Sequence, residues 1–526
     1  MIKAVRIENL RSLKDTGYIQ IKPLTVLLGA NSSGKSTFLR SFLLFTQSVN
    51  KRLRGPISWF DDSLVDFGDF YTALNSEAKE TGQPIRFSFK AEPSVSDRYP
   101  RYHFGEFIFS NPVILYKDFE YSFSVTCEEG ETYINEVTLK EGDLNIKAQI
   151  KNRNSQVSFY IDNEQLKTAE QLKWAYTPYN SILPTFENRN KESEKRPGVK
   201  TSEELIEFVK ARSRGTLKSG DKILMLFHKS VYNKEELLTN LKTKCAIKSF
   251  SKYIEENNWT IETAEFKQLY GYLSLFHFLR FFQAMDVQLT SYYGGCSYIA
   301  PARAEANRYY RTQGLQVMDI DPYGRNLQEF IASLDTDQKI SYQIFTKDIL
   351  KVIVDTEAHE GHQSIVLKSE QGEYNMADVG FGYSQILPIV TKLWYITNER
   401  ENMPGRGKNM YYYGLTTGNT NILIEQPELH LHPAYQAKIA DAIMEVSNKS
   451  KKTNKQKNFI VETHSEIFIN RLGRRVKEGL IDKDDVNVIL FNKRINDKTT
   501  TVKQLSYKQN GQIQDWPYGF FDPDND

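Results

Sequence analysis

The chain reads as an α/β protein: a mixed, largely parallel sheet flanked by helices, with a strand-rich and a helical insertion. Short apolar runs at 25–28, 421–425, 459–462 and 486–491 are bounded by polar residues. Such runs suit strands buried on both faces of a parallel sheet. The first leads straight into Gly29-Ala30-Asn31-Ser32-Ser33-Gly34-Lys35-Ser36-Thr37, which has the form G-x-x-x-x-G-K-[ST]. Phe38, Leu39, Phe42 and Leu43 then recur at helical spacing, so the loop sits between a strand and a helix. Between the second and third runs, Ile439, Ala442, Ile443 and Val446 share one side of a predicted helix.

The glycine loop has a chemical reading of its own. Its N–H groups and the following helix N-terminus aim partial positive charge at one spot, which suits a polyphosphate. Asn31, Ser32, Ser33, Gly34, Lys35, Ser36 and Thr37 are the predicted contacts. Lys35 would reach the β- and γ-phosphates, and Ser36 would offer its hydroxyl to Mg²⁺.

Taken in order, residues 1–95 carry strands around one helix and the glycine loop. Residues 96–200 form a strand-rich insertion, alternating as in Tyr121-Ser-Phe-Ser-Val, that ends in a polar loop from 188 to 200. Residues 201–290 form a helical insertion. Thr201 with Glu204 and Asn233 with Glu236 read as capping boxes, and a third helix is predicted from Thr263 to about Ala284. Residues 291–526 return to mixed strand and helix, with a lysine-rich solvated loop predicted at 448–457.

With 526 residues the chain is long enough for more than one domain. Its 40% hydrophobic and 25% charged residues place it in the soluble globular class. A net charge of +2 neither demands nor excludes nucleic acid, so any such surface must be a local patch. Cys127, Cys245 and Cys296 lie too far apart to suggest a zinc or disulfide framework and fit a cytoplasmic setting. No signal peptide and no apolar run of membrane-spanning length is seen.

A phosphate loop needs a carboxylate on the metal side, at the end of a neighbouring strand. Glu425, ending Asn421-Ile-Leu-Ile-Glu425-Gln426-Pro427-Glu428, is predicted to fill that role with Ser36. His464, after Phe459-Ile-Val-Glu462-Thr463, is placed to sense a γ-phosphate. Asp378-Val-Gly380-Phe-Gly382-Tyr-Ser384-Gln385 precedes an apolar helix and forms a second anion-ready N-terminus. One nucleotide does not need both from the same chain. C₂ symmetry would let Gly382, Ser384 and Gln385 of a second protomer close the first protomer's site.

These pieces, in this order, resemble the ABC-type ATPase head of the SMC, RecF and overcoming-lysogenization-defect groups. There they are called Walker A, signature, Walker B and switch histidine. The resemblance covers roughly 1–90 and 291–526, and it implies ATP and Mg²⁺ as ligands and dimerisation through the ATP sites. Three runs narrow it: the one from Tyr298 through Arg303 to Tyr310, the one from Ile424 to Pro433, and the tail from Asp515 to Asp522. Together they are similar to PtuA-type ATPases of Septu and retron antiphage systems. That similarity implies a separate HNH nuclease of PtuB type as partner. In retrons it also implies a reverse transcriptase with its msDNA. A RecF- or SMC-like repair ATPase acting directly on DNA, and a non-hydrolysing ATP-locked scaffold, are the alternative readings.

The chain departs from the ABC pattern at Gln426, where such heads carry the glutamate that orients or deprotonates water. An amide takes no proton at neutral pH, so slow hydrolysis is expected. Glu428 is the alternative catalytic carboxylate, although Pro427 intervenes. His359-Glu-Gly-His362 lacks zincin spacing, and Glu428, His430 and His432 read as packing near a dimer-facing loop rather than a metal cluster. Arg303, Arg308 and Arg311, with Tyr309 and Tyr310, suit a nucleic-acid backbone and equally suit an anchor between lobes or a partner surface. The roughly sixty residues after His464 lack the length and acidic pattern of a Toprim nuclease, so no nuclease is expected in this chain.

Overall fold

The structure is a computed structural model. It describes residues 2–92, 103–104, 107–108, 118–142, 144–150, 157–166, 172–175, 181–188, 197–213, 233–311, 317, 319–398, 420–451, 456–493, 499–517 and 520. The chain separates into two compact units, and the division differs from the four consecutive blocks expected. The segment Ile19–Leu43, with the glycine loop, groups with Gly295–Asn409 and Gly418–Asp526. The flanking segments Met1–Tyr18 and Leu44–Gly294 form the other unit.

The glycine-loop unit is built on a six-stranded sheet. Its order is Ser297–Ile299, Thr420–Glu425, Lys457–Glu462, Leu24–Gly29, Val486–Asn492, Thr501–Leu505. The first five strands are parallel and the last is antiparallel. All six residues of Leu24–Gly29 are buried, as the apolar run requires of a central strand. Glu425 pairs in register with Glu462, and Glu462 with Leu27. The carboxyl ends of these strands, with Gly29, Gln426 and Thr463, therefore meet at one edge, where α/β sheets place ligands.

The helix Pro433–Lys451 buries Ile439, Ala442, Ile443 and Val446, as its spacing predicted. It extends into the stretch read as a solvated loop, because Asn448 to Lys451 continue the last helical turn and Lys451 pairs with Asp485. Residues 452–455 of that stretch lie outside the described residues. A second sheet, antiparallel, contains Ile353–His359, His362–Ser369 and Gly372–Asn375, with Tyr310–Arg311 at its edge. His359 and His362 face each other across its two-residue turn, in which Glu360 and Gly361 have φ of 41° and 81°. The His-Glu-Gly-His run is thus a hairpin end.

The other unit carries an antiparallel sheet. Its order is Glu164–Gln165, Val157–Ile161, Leu144–Ile150, Glu131–Glu141, Phe119–Glu128, Ile85–Ala91, Ile2–Leu10, Leu13–Asp15. Aromatic residues fill its core: Phe45 lies 4.8 Å from Phe87 and 4.7 Å from Tyr293, ring centre to ring centre. The helix predicted from Thr201 begins earlier, as Pro197–Ala211; proline suits a first helical turn, where its missing N–H has no partner to lose. Residues 189–196 of the predicted polar loop lie outside the described residues. Asn233 caps Lys234–Thr243 by accepting from the Glu236 N–H. The third helix runs Ala264–Gly294, ten residues beyond the predicted end, because Leu289 and Tyr293 keep an apolar face buried. On it, Asp286 accepts from the N–H groups of Ile182 and Leu183, and burial pushes its carboxyl up to about 6. Among the described residues no helix is long and apolar enough to cross a membrane.

One close backbone approach makes a stability test. A Cβ on Gly473, in the helix Glu466–Lys477, would lie 2.3 Å from the Gly511 carbonyl oxygen, and Gly511 itself has φ of 82°. Gly473→Ala is expected to push this tail turn off the helix and destabilise the protein by about 1–3 kcal/mol. The readout is a lower denaturant midpoint; an unchanged midpoint contradicts the close approach.

Candidate functional site

The glycine loop is shaped by its first residue. Gly29 has φ of 148°, and a Cβ there would stand 2.2 Å from the Phe491 carbonyl oxygen, so only glycine fits. The Thr500 hydroxyl donates to the Ser33 carbonyl at 2.8 Å and braces the loop from the antiparallel edge. Ala30, Asn31 and Ser32 are exposed at the rim, whereas Ser33, Gly34 and Lys35 are buried. The Lys35 ammonium donates to the carbonyls of Gly29 at 2.9 Å and Ala30 at 2.7 Å, and burial lowers its pKa. The helix starts at Lys35, which aims its free N–H groups at the loop's concavity.

Ser36 and Arg40 stand one turn apart on that helix, facing two adjacent strand ends. The Ser36 hydroxyl donates to Glu462 Oε1 at 2.7 Å. Arg40 makes a bidentate pair with Glu425, 2.8 Å at each oxygen. The predicted metal-side acid is therefore held by Arg40, and the carboxylate beside Ser36 is Glu462. Glu462 ends its apolar run just as Glu425 ends the preceding one, so both carboxylates carry the same local signal. The strand Lys457–Glu462 is inserted between Thr420–Glu425 and the loop strand, and sequence distance does not reveal that order. Burial, and then the Glu425 charge, push the Glu462 carboxyl up to about 7.

Glu428 is committed elsewhere. It accepts from the Thr463 hydroxyl and from the His464 N–H, both at 2.7 Å, and so fixes the turn that carries the histidine. His430 packs edge-on against Phe381, and His432 Nδ1 accepts from the Ala434 N–H, so the three side chains do not converge. Gln426 has φ of 43°; its N–H donates to the Glu462 carbonyl at 2.8 Å, and its carbonyl accepts from Arg303 at 3.3 Å.

The glycine–serine segment presents its backbone. Gly380 and Phe381 are exposed, and the helix Phe381–Asn398 begins there. Ser384 is buried, and its hydroxyl donates to the Phe381 carbonyl at 2.7 Å. Gln385, expected beside a nucleotide, faces inward instead: its amide donates to the Arg303 carbonyl at 3.2 Å and accepts from the Arg303 N–H at 3.3 Å. An apolar helix turns these positions toward the core, leaving the Gly380–Gly382 backbone outermost.

The three arginines form no common patch. Arg303 is only 4% exposed and donates to the carbonyls of Glu425 and Gln426, so it cannot meet a nucleic-acid backbone. Arg308 pairs with Asp378, just before the glycines, and Arg311 is exposed at a strand edge. Of the tail run, residues 518–519 and 521–526 lie outside the described residues.

Several buried polar atoms at the site have no hydrogen-bond partner: Ser33 Oγ, Glu462 Oε2, His464 Nε2, and Nε and Nη1 of Arg303. Buried polar groups are normally paired, so donors and an acid left in this way around a phosphate loop fit an anion with its cation. Burial, with the Lys35 charge, lowers His464 to about 4 from its ordinary 6.5. Its neutral form therefore contributes stability above pH 6.5 that is lost as pH falls toward 4. Wild type is expected to lose more thermal stability across that interval than His464→Gln; parallel melting curves contradict the assignment.

A family model described as AAA ATPase domain, AAA_15, matches residues 1–469. No curated protein matches the chain. Among solved structures, the chain is similar to the Smc head bound to the C-winged helix domain of ScpA, at 11% identity and a TM-score of 0.33, covering 97% of this chain and 98% of that one. It is also similar to the SMC head domain from Thermotoga maritima, at 9% identity and a TM-score of 0.30, covering 95% and 98%.

Proposed function

Because the chain belongs to the AAA ATPase domain family, we propose that it binds ATP with Mg²⁺ at the Gly29–Ser36 loop and closes that site with a second copy of itself. One observation carries the reading: Lys35 is folded onto the loop, Ser36 bonds Glu462 beside it, and Ser33, Glu462 and His464 each keep a buried polar atom without a partner. In the proposed complex Lys35 and the loop N–H groups hold the phosphates, Ser36 and an acid hold the metal, and His464 meets the γ-phosphate. The bound metal supplies charge neutralisation at the phosphates.

The second protomer contributes Gly380–Gly382 and, after rotation of its hydroxyl, Ser384. A Cβ on Gly382 would meet nothing closer than 4.0 Å, so a side chain there leaves the single chain intact. Gly382→Asp is expected to weaken ATP-dependent dimerisation about ten- to hundred-fold, through a carboxylate set against phosphate. Sedimentation with ATP is the readout, with single-chain ATP affinity unchanged. Equal dimerisation of variant and wild type rejects the composite site.

The ATP-locked dimer is proposed to restrain or release a separate HNH nuclease of PtuB type in antiphage defence, in retron settings together with a reverse transcriptase and msDNA. The resemblance of the runs around Arg303, Glu425 and Trp516 supports this partner class. Co-purification with the products of neighbouring genes, followed by mass measurement of the complex, tests it; neighbours confined to replication proteins favour a repair role.

A further inference from the structure

We infer that Glu462, at the end of the strand beside the phosphate loop, is the carboxylate that holds Mg²⁺ together with Ser36, while Glu425 serves as a tether for Arg40. The inference rests on the ATP-site reading above and assigns the metal within it. Glu425 and Glu462 are register partners on adjacent parallel strands, so both side chains leave the same face of the sheet. Their surroundings differ. Both Glu425 oxygens are occupied by the Arg40 guanidinium in a fork-to-fork pair. Glu462 has one oxygen on the Ser36 hydroxyl at 2.7 Å and the other buried without a partner, in a residue only 2% exposed.

A buried, unpartnered acceptor on an acid is unfavourable unless a cation or donor meets it. The second oxygen ligand is already in place, because Ser36 is the loop residue whose hydroxyl faces the metal in this motif. A hard divalent cation prefers oxygen donors, and a carboxylate beside a hydroxyl at the mouth of a phosphate loop is such a pair. Glu462 also holds the Gln426 N–H through its main-chain carbonyl at 2.8 Å. A metal gathered by its side chain is thereby linked to the turn that carries Gln426.

The test measures binding, apart from turnover. ATP affinity is titrated in EDTA and in Mg²⁺, and Mn²⁺ affinity of the nucleotide complex is followed by electron paramagnetic resonance. Wild type is expected to bind more tightly with metal. Glu462→Gln is expected to lose most of the gain in ATP affinity that Mg²⁺ gives the wild type, and about ten- to hundred-fold of Mn²⁺ affinity. Glu462→Asp keeps the charge but withdraws the carboxylate by one methylene, and it is expected to lose part of the response even if the amide variant folds poorly. An unaltered metal response in both variants overturns the inference. So does a response lost in Glu425→Gln but kept in Glu462→Gln. A wild-type chain that binds no ATP under either condition overturns the site reading, and this inference with it.

Discussion

Lys35→Ala is expected to lower ATP affinity by about a hundred-fold or more while leaving the protein folded. The Lys35 ammonium is buried and rests on two carbonyls of its own loop, so the loop is shaped around this one cation before any ligand arrives. Phosphate oxygens replace neutral carbonyls with charged acceptors, and each charge-assisted hydrogen bond contributes about 1.5–3 kcal/mol. Two such bonds correspond to about a hundred-fold or more in affinity. Alanine also leaves the Gly29 and Ala30 carbonyls without their donor, so a small fall in melting temperature accompanies the loss. Lys35→Arg is not expected to restore binding, because a planar fork does not replace a point cation inside a closed loop. Titration with a fluorescent ATP analogue is the readout. Unchanged affinity in a folded variant removes the loop from the nucleotide site.

Gln426→Glu is expected to speed single-turnover ATP hydrolysis about a hundred-fold. The backbone at Gln426 is tied on both sides, by its N–H to Glu462 and by its carbonyl from Arg303, so a change of amide to acid of equal length leaves the turn in place. The carboxylates on either side are engaged, Glu425 by Arg40 and Glu428 by Thr463 and the His464 N–H. With an amide at position 426, the wild-type chain is expected to hold ATP longer than it hydrolyses it. Rapid-quench measurement with protein in excess checks this. A fast wild type with no gain in the variant overturns it and leaves Gln426 as a water-positioning residue only.

Much of the fold is legible in local pattern. The runs at 25–28, 421–425, 459–462 and 486–491 are all strands of one parallel sheet, because residues buried on both faces leave an apolar block bounded by polar ends. The second, antiparallel sheet is not legible in that pattern, because Ile353–His359 and His362–Ser369 mix charged and apolar residues. Helix ends moved for a related reason: packing of Leu289 and Tyr293 carries the long helix past the point where its own periodicity blurs.

The sequence by itself determined the chemistry on offer at the loop: Gly29, Lys35 and Ser36 stand within eight residues, and their spacing alone sets strand, turn and helix. It also located the histidine, the acids and the glycine segment as strand-end or helix-start residues. Only the tertiary structure decided which acid meets Ser36, because that depends on which strand is the loop's neighbour. Strand order arises from crossovers between segments hundreds of residues apart and leaves no local trace. The same holds for Arg303, an ordinary surface-type residue in sequence, which the fold buries against the Glu425–Gln426 turn. Gln385 follows that logic too: its place on an apolar helix points it to Arg303 rather than to a ligand. Periodicity reports what one residue does for its own element, whereas pairing of buried polar groups is settled only when distant elements close around them.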